Sequence, residues 1–158
     1  MNVRPILLGL FLQLIAAVSA ADADLVVHGA WIRAGPPSAP VLAGYMTIKN
    51  PSRLAKVLVR ATSPAFASVT LHRTEHVDGV ARMSHVPEVK IRTSSEFVFQ
   101  PNGYHLMLAQ PKRPLRTGDR VSIELEFADG SRVSAVFAVR EHFPEFGESQ
   151  LAPHLQAL

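Results

Sequence analysis

The feature that most restricts the fold of this chain is its punctuation. From Leu25 onward, short apolar and β-branched runs are cut at close intervals by Gly35-Pro36-Pro37-Ser38-Ala39-Pro40, Asn50-Pro51-Ser52, Asp78-Gly79, Pro101-Asn102-Gly103, Thr117-Gly118-Asp119 and Asp129-Gly130. Runs of this length, ended by turn-forming residues, read as strands. The expected strands are Leu25–Arg33, Leu42–Lys49, Leu54–Thr62, Ala67–Arg73, Val80–Val86, Glu96–Phe99, Tyr104–Ala109, Arg120–Phe127 and Arg132–Val139. Seven to nine strands in about 120 residues predict one all-β domain, a Greek-key β-sandwich or an open barrel. In the last pair, Ile123, Leu125 and Phe127 alternate with Ser122, Glu124 and Glu126 before Asp129-Gly130, the pattern of a two-faced hairpin strand. Beyond Arg140 the alternation stops, and residues 141–158 are expected to form a tail.

The N-terminus follows another pattern. A short basic start at Arg4, an uncharged apolar stretch from Pro5 to Val18, and Val18-Ser19-Ala20 before a cut after Ala20 describe a secretory leader over residues 1–20. That stretch is short for a membrane span, and nothing after it could serve as one, so no span is expected once the leader is removed. The domain then covers 21–140. Sixteen Lys and Arg stand against thirteen Asp and Glu, with the basic residues scattered, so the stripe or tail of positive charge typical of a nucleic-acid binder is missing. The chain has no cysteine. Disulfides, thiolate nucleophiles, zinc–thiolate sites and a Cys-ligated copper centre are therefore excluded.

Chemistry must then come from His, Met, carboxylates or hydroxyls. Met46 lies amid apolar alternation in Tyr45-Met46-Thr47 and reads as core filler. Met83 and Met107 each stand two residues from a histidine, in Met83-Ser84-His85 and His105-Leu106-Met107, and residues i and i+2 of a strand share a face. In Tyr104-His105-Leu106-Met107-Leu108 the bulky apolar residues take one face, leaving His105 and Met107 together on the other. His72 and Met83 flank the polar turn ending in Asp78-Gly79. With the hairpin centred between Val77 and Asp78 they stand directly opposite, close enough for one ion to bridge them, while Arg73 and Arg82 point away. Two imidazoles and two thioethers, His72, Met83, His105 and Met107, form a neutral, soft set. Thioether sulfur selects Cu(I), and the lack of a carboxylate argues against catalytic zinc or non-haem iron.

His72, ten residues, Met83, twenty-one residues, His105, one residue, Met107 resembles the metal-binding motif of the periplasmic copper chaperone family PCu(A)C. So do Ala30-Trp31-Ile32-Arg33 before a Pro-rich loop, Gly44-Tyr45-Met46-Thr47-Ile48-Lys49-Asn50, Leu71-His72, Asp78-Gly79-Val80, Gly103-Tyr104-His105-Leu106-Met107-Leu108 and Pro114-Leu115-Arg116-Thr117-Gly118-Asp119. The resemblance spans Leu25 to Val139. It implies a cupredoxin-like β-sandwich, not an enzyme, that works in the periplasm as a monomer and carries copper to or from proteins assembling the copper centre of haem–copper oxidases. Many members carry a Met just after the first histidine, where this chain has Arg73 and Thr74, and many end in a His- and Met-rich tail. Here the tail has only His142 and His154, so a second, Cu(II) site there is not expected.

The remaining histidines read more plainly. His28 and His76 are expected at the surface, whereas His85, on the face of Met83, is an alternative nitrogen for Cu(II). Trp31 and Tyr45 are expected in the core or at its edge. The competing function is an exported β-sandwich that binds a partner protein and has no metal role.

Overall fold

The computed structural model describes residues 24–141; the expected leader and all but the first residue of the expected tail lie outside them. Ten strands form: β1 (Val26–Arg33), β2 (Val41–Asn50), β3 (Lys56–Thr62), β4 (Phe66–Val77), β5 (Val80–His85), β6 (Val89–Ile91), β7 (Ser95–Phe99), β8 (Tyr104–Pro111), β9 (Arg120–Phe127) and β10 (Arg132–Arg140). Among the described residues there is no helix, and the fold is the cupredoxin-like β-sandwich.

The strands join in the order β5-β4-β8-β2-β1-β10-β9-β3-β6. β2 pairs with β1 along one edge and shares the other between β8, through Val41–Gly44, and β7, through Met46–Asn50. All ladders are antiparallel except that between the first and last strands, where Trp31, Ile32 and Arg33 align in parallel with Ala138, Val139 and Arg140. Alternation places Ile32, Ile48, Leu58, Leu106, Leu108, Ile123, Leu125 and Phe137 inside, each with no accessible surface, and one apolar cluster draws on both halves of the chain. Burial of this kind is worth about 1.5–3 kcal/mol per large side chain. Met46 is buried in it, as expected.

Two local features shape the outer face of the sheet. The first is a bulge in β1. His28 pairs with Thr47 but Trp31 with Tyr45, so one extra residue is accommodated near Gly29, which has φ +61°. Before the bulge Val27 opposes core Ile48; after it Ile32 opposes Gly44 and turns inward. The bulge therefore sends Trp31 to the opposite face, beside Tyr45. The second is the Asp78-Gly79 turn of the β4–β5 hairpin. Both residues have positive φ, 53° and 77°, as a two-residue type I′ turn requires. A Cβ at Gly79 would meet nothing within 4 Å, so Gly79→Ala carries only the backbone penalty. That variant is expected to lose about 1–2 kcal/mol in urea unfolding; an unchanged midpoint would mean that this turn is not the one adopted.

Candidate metal centre

β5, β4 and β8 lie side by side at one edge of the sheet. The packing of Leu71, Leu106 and Leu108 into the core fixes their inner face, and alternation puts His72, His105 and Met107 on the other. Across β4–β8, His72 is the Cα partner of His105, and Thr70 that of Met107. Across β4–β5, His72 partners His85, and Thr74 partners Met83.

That last register corrects the sequence expectation, in which His72 stood opposite Met83. The turn occupies Asp78 and Gly79 and is closed by Val77 and Val80, because the pair with left-handed backbone must sit at the two central positions. The displacement moves Met83 two residues along the ladder, which keeps it on the face of His72 but on the diagonal. Diagonal neighbours are about 7–8 Å apart at Cα, within reach of a three-torsion thioether. All four expected residues thus share one face of three neighbouring strands. Met107 lies one step along the ladder from the imidazole row, and Met83 one step the other way. Met107 is half-buried, and Met83 is 59 % exposed on β5, an edge strand whose six residues are all exposed. Arg73 points to the opposite face, as expected, with its guanidinium 5.2 Å from the Tyr104 ring centroid and 2.8 Å from Glu75.

A line of rings crosses five strands at this level. Centroid separations are 4.7 Å from Trp31 to Tyr45, 6.4 Å from Tyr45 to His105, 6.0 Å from His105 to His72 and 5.6 Å from His72 to His85. Trp31 and Tyr45 are buried as expected and wall the inner end, leaving His105 only 8 % exposed. His85 closes the solvent end. Among the described residues no three His, Asp or Glu side chains gather closely enough to hold an ion, so the imidazole row is not a three-nitrogen site as it stands. His28 and His76 are exposed, and His28 lies 3.7 Å from Glu96.

Hydrogen bonding prepares the His105 and His72 rings. His105 Nδ1 is 3.1 Å from the Gly103 carbonyl oxygen. A carbonyl only accepts, so Nδ1 carries the proton and Nε2 keeps its lone pair. His72 Nε2 is 3.1 Å from Thr70 Oγ1, while its Nδ1 is buried without a hydrogen-bond partner. Burial, followed by the neighbouring His105 and His85, lowers the His72 pKa below the usual imidazole value, favouring the neutral form that can bind metal. An uncharged face with two thioethers and two available imidazole nitrogens, His105 Nε2 and the orphaned His72 Nδ1, fits a soft cation of low charge. Sequence reasoning did not find Thr70 or the Gly103 carbonyl. A hydroxyl two residues before His72 on the same strand was the available signal.

Residues 25–139 match the family described as “Putative lipoprotein LpqE-like”. A protein of Leifsonia xyli subsp. xyli, “Putative lipoprotein Lxx21020”, is 32% identical over 116 residues, covering 73% of this chain and 69% of that one. The solution structure of Cu(I)-DR1885 from Deinococcus radiodurans is 35% identical, with a TM-score of 0.63, over 79% of this chain and 84% of that one. The copper-bound PCuAC domain from PmoF2, at 20% identity, shares the fold with a TM-score of 0.63 over 77% of this chain and 97% of that domain. Matched along its whole strand-forming length, the chain belongs to the LpqE-like family, which is of PCuAC type.

Proposed function

We propose that this protein is an exported copper carrier that binds Cu(I) through His72, Met83, His105 and Met107 and passes it to a partner without turnover. The observation that carries the reading is the common face of β4, β5 and β8, on which these four residues lie and where Nδ1 of one of them, His72, is buried without a partner. Two proteins of like fold, one of them 35% identical, are described as copper-bound, which supports the choice of metal.

The residues divide the work by their exposure. His105, pinned to the Gly103 carbonyl and walled by Tyr45, and His72, half-buried, form the fixed end. Met107 supplies sulfur beside them. Met83, on the exposed edge, is the donor that an incoming ligand from a partner displaces first, so the ion is handed over by exchange of ligands at the β5 edge. The partners in this reading are proteins assembling the copper centre of a haem–copper oxidase, and the place is the periplasm, reached after cleavage of residues 1–20. Relatives are named as lipoproteins, but these 158 residues contain no cysteine to which a thioether-linked lipid could attach. Among the described residues no helix is long and apolar enough to cross a membrane.

Anaerobic titration of the metal-free protein with Cu(I) in the presence of a competing chelator tests the proposal. One tightly held Cu(I) per chain is expected. No uptake would leave the alternative, an exported β-sandwich interaction module.

A further inference from the structure

We infer that the two histidines offer unlike nitrogens to the ion, Nδ1 of His72 and Nε2 of His105, and that Thr70 is the positioning residue that sets the His72 end. The juxtaposition behind this is Thr70 Oγ1 at 3.1 Å from His72 Nε2, with His72 Nδ1 buried and unpartnered on the face that also holds His105 and Met107. The inference rests on the Cu(I) reading above and adds which atoms bind and what orients them.

A neutral imidazole has one N–H and one lone pair, so whichever nitrogen is engaged as a donor leaves the other as the ligand. For His105 the carbonyl of Gly103 decides the matter. For His72 the hydroxyl could donate or accept, and the choice falls to the other nitrogen. A proton on Nδ1 would bury an N–H with no acceptor and would direct the metal to Nε2, where binding would cost the bond to Thr70. A proton on Nε2 lets that N–H donate to Thr70 Oγ1 and leaves a lone pair on Nδ1. Metal binding there satisfies the one orphaned buried side-chain nitrogen among the described residues and keeps the hydrogen bond. Thr70 is suited to the task because it lies on the face of His72 two residues away, and β-branching restricts its χ1. As the Cα partner of Met107, it also stands between two of the ligands.

Two-bond proton–nitrogen correlation spectra of the metal-free protein at pH 8 should show the Nε2–H form for His72 and the Nδ1–H form for His105. On anaerobic addition of Cu(I), Nδ1 of His72 and Nε2 of His105 should be the nitrogens whose resonances shift. Thr70→Val, which keeps the shape and removes the acceptor, should weaken Cu(I) binding by about 10-fold, within the range seen for groups that orient metal-bound histidine. Thr70→Ser should restore affinity to near the parent value. An Nδ1–H form or an even mixture at His72 overturns the inference, as does a Thr70→Val protein that binds Cu(I) as the parent does. If Thr70→Val does not fold, the spectra of the parent protein still decide it. A parent protein that takes up no Cu(I) fails the carrier reading itself, whereas uptake with the wrong nitrogens fails only this assignment.

Discussion

Replacing Met83 and Met107 together by Leu is expected to lower Cu(I) affinity by orders of magnitude and leave the fold intact. Leucine keeps nearly the volume of methionine while removing sulfur, and volume-conserving swaps cost less than about 1.5 kcal/mol even inside a core. The cost here should be smaller, since Met83 is 59 % exposed and Met107 only half-buried. The affinity loss has a different origin. Imidazole binds copper without selecting its oxidation state, whereas thioether sulfur is the soft donor that favours Cu(I), so the double variant loses two of four donors and the selective ones. Chelator competition and thermal melting on the same sample separate the two effects. Unchanged Cu(I) affinity would remove sulfur from the site, and a large drop in melting temperature with copper retained would return both residues to a packing role.

The second large effect is that of pH. Metal binding requires neutral imidazole, whereas thioethers do not titrate, so protons compete with Cu(I) only at His72 and His105. An ordinary imidazole titrates near pH 6.5, hence affinity should be flat above about pH 7.5. Because burial, His105 and His85 lower the His72 pKa, its proton enters the competition later than an ordinary imidazole's would. The sign follows: a lowered pKa keeps His72 available as the solution acidifies and delays the loss of copper. The decline should approach a hundredfold per pH unit once both rings are protonated in the metal-free protein. In His105→Ala the slope should stay at or below about tenfold per unit. The His72 shift should also relax in part, because one of its neighbouring imidazoles is gone. An affinity flat from pH 8 to pH 5 would show that neither histidine binds the ion.

Much of this architecture is legible without coordinates because β-strands repeat every two residues. Alternation in Tyr104-His105-Leu106-Met107-Leu108 is enough to separate Leu106 and Leu108, with no accessible surface, from His105 and Met107 on the other face. What alternation cannot carry is register. Centring the hairpin between Val77 and Asp78 rather than between Asp78 and Gly79 gives His72 the wrong partner, though a slip of two residues leaves the face unchanged. Nor does it reveal tertiary exceptions. The bulge near Gly29 changes which residues of β1 turn inward, and Val89–Ile91 is too short a run to stand out until β3 pairs with it. The burial of His105 under Tyr45 and beside His72 depends on strands distant in sequence, so the composition around His105 does not announce it.

The parallel pairing of β1 with β10 has a consequence for the order of events in the life of the chain. The first strand waits for the last to complete its pairing: β2 takes one edge of β1, but at the other edge Trp31, Ile32 and Arg33 are paired by Ala138, Val139 and Arg140 of β10. Phe137, which reaches the Gly44 position from β10 across the core, likewise arrives at the end. Contacts of such separation are slow to form, since the entropy of closing the loop between them is lost before they contribute anything. A chain emerging from the ribosome therefore cannot complete its sandwich before its final strand is synthesised.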